Sequence, residues 1–197
     1  MIPEMRTIPK DTIIYIDANI FIYDATEHAN YGPPCKAFLH RVERNELKGT
    51  TSTLTINEVL HRLTIIELSE KEAVGPGDVI RLIKENPQVL AKASDSYQFI
   101  EKMHDLSNLD IIPYSKEIAF LAVTLAQTYF LMSNDATHVA TMKTHGIRDI
   151  ATNDPDFERV DGITVWRPRM REGEHKEKAA TSPDGGVKKR RIGIFSS

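Results

Sequence analysis

Short β-branched apolar runs alternate with longer amphipathic stretches along most of the chain. Residues 12–17 (TIIYID) are apolar and bounded by polar positions, the pattern of a buried strand. A helix is predicted over residues 33–46, opened by two prolines and carrying Phe38, Leu39 and Val42 on one face. Residues 49–54 are threonine-rich and β-prone, and 55–69 then place Ile56, Val59, Leu60, Leu63 and Ile66 at helical spacing. The GPGD segment at 75–78 breaks that helix, and two more helices are expected at 78–93 and 95–106. A strand at 109–113, the most apolar helix at 115–131, and a helix at 133–146 closed by Gly146 follow. Short strands at 150–152 and 163–166 complete the pattern. Strands separated by helices of this length predict an α/β fold, a short and mostly parallel sheet with helices on both faces.

At 197 residues the chain has the length of one domain, and 41% hydrophobic with 27% charged residues is ordinary globular composition. No apolar run approaches the ~18 residues that span a bilayer, and MIPEMRTIPK lacks the apolar region of a secretory signal. A cytoplasmic protein without membrane contact is the expectation. The single cysteine, Cys35, excludes an internal disulfide and a four-cysteine zinc site. Charge is divided unevenly. After Trp166 nine lysines and arginines face four acids, so the last 31 residues carry +5 and residues 1–166 carry −8 of the net −3. Residues 1–166 are therefore read as the domain, and 167–197 as a basic tail whose polar composition predicts disorder. The KKRR run at 188–191 is either a solvated charge run or a weak arm for phosphate backbones.

Four acids stand out, and each alone has a structural explanation. Asp17 closes the first strand, where an aspartate commonly caps a helix. Glu58 in Thr55-Ile-Asn-Glu58 reads as the far end of a capping box. Asp135 falls in a first helical turn, and Asp154 and Asp156 flank a turn proline. Jointly they say more. Asp17, Glu58 and Asp154 each follow a predicted strand at once or within four residues, which brings them to the carboxyl edge where open α/β sheets bind ligands. Carboxylates about 4 Å apart repel by about 4 kcal/mol at an effective dielectric of 20, so such a cluster calls for protons or a divalent cation. Oxygen-only ligands favour Mg²⁺ or Mn²⁺ over zinc, and such ions suit phosphodiester hydrolysis.

The succession YIDANIFIY (15–23), INEVLHRL (56–63), SNDATHVATM (133–142) and ATNDPDF (151–157) resembles the PIN-domain nucleases, in particular the toxins of VapBC-type toxin–antitoxin modules. The resemblance runs over residues 12–166. It implies a PIN-like three-layer fold and a metal-dependent endoribonuclease using Mg²⁺ or Mn²⁺. It further implies Asp17, Glu58, Asp135 and Asp154 as catalytic, metal-binding carboxylates, Asp156 as an accessory acid, and Asn19 and Thr152 as polar supports. RNA as substrate, a homodimer and a cognate antitoxin protein are implied in the same way. Two features depart from a compact toxin: 77 positions separate Glu58 from Asp135, with an added helical stretch near 78–93, and the tail lies outside the family core. They leave open a PIN-domain ribonuclease of RNA processing. A non-catalytic RNA- or protein-binding module is the alternative of a different class, and the presence of all four acids argues against it, because clustered carboxylates repel RNA phosphate unless a metal intervenes.

Other chemistries fit less well. Glu58/His61 and Asp135/His138 are acid-x-x-His pairs of the kind seen in di-iron bundles, but the predicted strands argue against a bundle. His61 and His138 are read instead as partly buried, hydrogen-bonded histidines. Asn19 stands where an aspartyl-phosphate phosphatase needs a second aspartate. The chain holds no Gly-x-x-x-x-Gly-Lys loop and no Gly-x-Ser-x-Gly elbow. The helix at 115–131 is assigned to the core or a dimer interface, with Tyr129, Phe130 and Met132 at its end read as core.

Overall fold

The computed structural model of the chain describes residues 3–169. Five strands form one sheet in the order β3-β2-β1-β4-β5: β1 (Ile13–Ile16), β2 (Lys48–Ser52), β3 (Leu109–Ile112), β4 (Asp149–Ala151) and β5 (Thr164–Trp166). Every pairing is parallel. Seven α-helices are described: α1 (Ala18–Ala25), α2 (Gly32–Glu43), α3 (Thr53–Lys71), α4 (Pro76–Glu85), α5 (Ser94–Asp105), α6 (Lys116–Tyr129) and α7 (Ser133–Thr144). The expected helix at 78–93 is two pieces, α4 and a 3-10 turn at Pro87–Lys92, because Asn86 and Pro87 interrupt it. Helix α1 is an addition to the elements predicted. Its eight residues are too few and too apolar on every side to show helical periodicity.

Alternation along β1 sends Ile14 and Ile16 to one face of the sheet and Tyr15 to the other. The first face packs against α1, α2, α3 and α5 through Phe21, Leu39, Val59, Leu63 and Phe99. The second packs against α6 and α7 through Ile118, Leu125, Val139 and Met142. A smaller cluster of Leu68, Val79, Val89 and Ala93 closes the far end of α3 against α4. Gly49 lets β2 lie close beneath α2, since a Cβ there would meet Val42 Cγ1 at 2.6 Å. Gly146 ends the run after α7 with φ +68°, as its place after the last apolar turn predicts.

The chain steps from β1 outward to β2 and β3, then returns across to β4 on the other side of β1. That reversal is the switch point of a doubly wound sheet, and the carboxyl ends of β1 and β4 meet there. Ile16 is in register with Ala151, and the Asp17 N–H donates to the Ala151 carbonyl at 3.1 Å. Asp17 and Thr152 therefore leave the sheet side by side. The basic tail from residue 170 onward lies outside the described residues. Arg167 is tied to the N-terminal segment through Pro3 and Met5.

Two expectations are corrected by the packing. Phe130 and Met132 are 84% and 73% exposed, not core. Helix α6 ends at Tyr129 and Phe130 turns into the left-handed region (φ +54°), swinging its side chain outward. His61 lies on the exposed side of α3, whose buried stripe runs through Thr55, Val59, Leu63 and Glu67. Glu67 is a charged residue within that stripe. Its carboxylate accepts from Ser96 N at 2.8 Å, Ser96 Oγ at 2.5 Å, Asp95 N at 3.1 Å and Lys71 Nζ at 2.5 Å, so α3 caps the N-terminus of α5.

Candidate active site

Asp17 ends β1 in extended backbone and caps α1, its Oδ1 accepting from Ala18 N at 2.6 Å. Its Oδ2 accepts from Thr152 Oγ1 at 2.6 Å and from Asn19 Nδ2. The Thr152 hydroxyl also accepts from Asn19 Nδ2 at 2.9 Å and from Asp154 N at 3.0 Å. Both of those partners are donors, so the single hydroxyl proton goes to Asp17. Burial raises the Asp17 pKa, and Glu58 adds to the push, against the pull of His138 and Thr152.

Glu58 stands on the second turn of α3 and does not close a capping box. The helix starts earlier, at Ser52, whose Oγ accepts from Thr55 N at 3.3 Å. The Glu58 side chain crosses instead to α7, where Oε1 accepts from Asn134 Nδ2 at 2.6 Å and Oε2 from His138 Nε2 at 2.9 Å. Burial alone would raise its pKa, but the bonds and charge of His138, with Asn134 and Arg62, hold it below the ordinary glutamate value.

His138 is fully buried, with its ring between Tyr15 and Phe157. Its Nδ1 lies 2.9 Å from the Tyr15 hydroxyl, which donates its own proton to Ser52 Oγ at 2.8 Å. Nδ1 must then donate to the phenol oxygen, and Nε2 must donate to a carboxylate that only accepts. Both nitrogens are protonated and neither has a free lone pair. Burial opposes that charge, but Tyr15, Glu58 and Asp17 overcome it and hold the imidazolium pKa up at about 10.

Asp135 sits half-buried in the first turn of α7, and Asp154 caps the 3-10 turn at Pro155–Arg159 through Asp156 N at 2.8 Å. Burial, then Asp154, Asp17 and Asp156, push the Asp135 pKa up to about 6, against His138. Asp17, Asp154 and Asp156 thus lie close enough to Asp135 for their charges to act on it. Asp156 is held by Arg159 at 3.0 Å. Asp17, Glu58 and His138 offer atoms within 4.8 Å of one another. With both imidazole nitrogens engaged, the donors free to hold a cation are carboxylate oxygens. Such a set fits a hard divalent ion, whose charge would offset both the burial and the like charge that raise the Asp135 pKa.

The residues reasoned from sequence thus gather at one sheet edge. Sequence reasoning offers no reading of Tyr15 or Asn134, and it reads His138 only as a partly buried, hydrogen-bonded histidine; the hydrogen bonds are present and the burial is complete. One signal was present: Tyr15 is a hydroxyl-bearing residue in an otherwise aliphatic strand, and a buried phenol needs a partner.

The PIN domain profile matches residues 14–163. Ribonuclease VapC2 of Methanocaldococcus jannaschii is 29% identical over 156 residues, covering 79% of this chain and 94% of that protein. Ribonuclease VapC6 of the same organism is 39% identical over 66 residues, 34% of this chain and 43% of that protein. The crystal structure of VapBC2 from Rickettsia felis, bound to a DNA fragment from its promoter, aligns with TM-score 0.54 and 14% identity. That alignment covers 79% of this chain and 98% of the other, a likeness of fold.

Proposed function

Because this chain belongs to the PIN domain family, we propose that it is a Mg²⁺- or Mn²⁺-dependent endoribonuclease, the toxin of a toxin–antitoxin pair. The observation that carries the reading is the carboxylate cluster at the switch point, where Asp17 and Glu58 offer oxygens within 4.8 Å of each other and each is held by hydrogen bonds from neighbouring elements. Asp17, Glu58, Asp135 and Asp154 are assigned as the residues that hold one or two ions, with Asp156 as accessory acid. The bound ion supplies Lewis acidity, activating water and neutralising charge on the scissile phosphate. The protein supplies the geometry. Thr152 and Asn19 hold the Asp17 carboxylate, and Asn134 and His138 hold Glu58. Asp154 is fixed by its bond to Asp156 N and by Thr152. Among the described residues no histidine has a free nitrogen at this cluster to serve as base, which leaves proton removal to carboxylates and solvent.

RNA as substrate is supported by the ribonuclease relatives, and an antitoxin partner by the VapBC assembly of the Rickettsia protein. A homodimer in the cytoplasm, residues 1–166 as the catalytic unit and 167–197 as an appended tail complete the proposal. No described helix is long and apolar enough to cross a membrane.

The test is cleavage of an end-labelled structured RNA and a matched single-stranded DNA in Mn²⁺, Mg²⁺ or EDTA. Wild type, Asp17→Asn and Asp135→Asn are run together. Cutting of RNA that requires the ion and is lost in both variants is expected. Cutting that persists in EDTA or in the variants overturns the assignment, and retention of RNA without cutting favours a binding module.

A further inference from the structure

Glu58 differs from the other acids of the cluster in how it is held. Asp17 and Asp154 are fixed by backbone amides and by Thr152 close to them on the sheet edge. Glu58 is on a longer side chain, on a different helix, and both its oxygens are gripped from α7. Asn134 is exposed, whereas His138 is fully buried. The buried grip is backed in turn: Tyr15 holds Nδ1, and the Tyr15 hydroxyl contacts Ser52 Oγ at 2.8 Å and Thr55 Oγ1 at 3.3 Å. One continuous set of hydrogen bonds therefore joins β1, the start of α3 and α7, and ends on the Glu58 carboxylate. Asp135 is carried by the same helix turn as Asn134 and His138.

We propose that His138, backed by Tyr15, is the positioning residue that locks the Glu58 carboxylate toward Asp17 and in register with Asp135, and so sets the affinity of the cluster for a divalent cation. The inference rests on the metal-nuclease reading of the site. His138 is not a ligand, because both nitrogens are already engaged. Without its Nε2 donor, Glu58 keeps only the exposed Asn134 contact and regains side-chain freedom. Outer partners that orient a ligand typically affect metal affinity by about 10–100-fold.

Two substitutions separate positioning from space-filling. In His138→Gln the amide nitrogen reaches the place of Nε2 and still donates to Glu58. In His138→Asn the shorter amide reaches only the place of Nδ1. Both remove the ring and its charge. Mn²⁺ affinity of the full chain, read from the free-ion signal in electron paramagnetic resonance, is expected to weaken about 10–100-fold in His138→Asn and no more than about 5-fold in His138→Gln. Tyr15→Phe keeps the ring and removes the hydroxyl behind Nδ1, and a weakening between these two is expected. It also serves if His138→Asn does not fold. In cleavage, kcat should fall at limiting Mn²⁺ and recover at high Mn²⁺, with KM for RNA unchanged.

Equal Mn²⁺ affinity in wild type, His138→Asn and Tyr15→Phe, with wild type binding the ion, overturns the positioning role and leaves the nuclease reading standing. Equal loss in His138→Asn and His138→Gln reduces His138 to packing. A wild type that binds no Mn²⁺ overturns both.

Discussion

Asp24 gives the sharpest quantitative handle on this fold. It lies in the last turn of α1, buried, near the negative end of the helix dipole. Burial raises its pKa from 3.8 to about 6, against the attraction of Lys36 and His40 and with the repulsion of Glu27. The native state therefore holds the Asp24 proton more tightly than the unfolded chain does. Relative stability from this group is fully present below 3.8 and is lost as pH rises through about 6. Linkage puts the loss at about 0.6 kcal/mol at pH 4, about 1.6 at pH 5 and about 3 at pH 8. Asp24→Asn removes the charge and with it the pH dependence. The variant should be near wild type in stability at pH 4 and more stable by up to about 3 kcal/mol at pH 8. For a domain of this size that is roughly 6–12 °C in Tm. Thermal melts of both proteins by circular dichroism from pH 4 to 8 provide the assay, the difference curve isolating Asp24 from other titrating groups. A difference that does not change with pH, or a variant less stable at pH 8, would falsify the burial argument.

Three further outcomes are expected. Glu67→Ala removes the acceptor for two amides and the Ser96 hydroxyl at the start of α5, leaving a buried donor orphaned; urea unfolding should show a loss of about 2–4 kcal/mol. Because these bonds lower the Glu67 pKa against the upward push of burial, its contribution is present above 4.5 and fades as pH falls through the depressed native value. Phe130→Gly relieves a left-handed residue whose side chain packs on little, so a gain of about 0.5–1 kcal/mol in the same assay is expected, and a loss would mean the ring is held by contacts. Thr152→Val deletes the hydroxyl that Asp17, Asn19 and Asp154 share. It should slow RNA cleavage by about 10–100-fold while Tm changes by only a few degrees, and an unchanged rate would remove Thr152 from the site.

Periodicity alone was enough for the five strands, the layered α/β architecture and the sheet edge to which it assigns Asp17, Glu58 and Asp154; nothing in it carries Asp135, which follows a helix. Residue 17 closes an apolar β-branched run and residue 152 closes the short strand predicted at 150–152, and parallel strands deliver both to one place whatever the side chains do afterwards. The resemblance carried by the four short motifs supplied the family. What a one-dimensional pattern could not contain was the partner of each side chain. The Thr55-Ile-Asn-Glu58 spacing fits a capping box, but the helix begins at Ser52, and Glu58 is drawn away by residues 76 and 80 positions further on. Glu67 occupies the core stripe of α3 because α5 arrives there with unpaired amides. Phe130 and Met132 carry core-like residue types and yet face outward, since the turn between α6 and α7 reverses the backbone at that point. Hydrophobic pattern specifies which face of an element is buried, because water acts on every residue independently. Hydrogen bonds and charge pairs are short-ranged and pairwise, so the chemistry of His138, Glu58 and Asp17 existed only once tertiary folding had brought three distant segments within bonding distance.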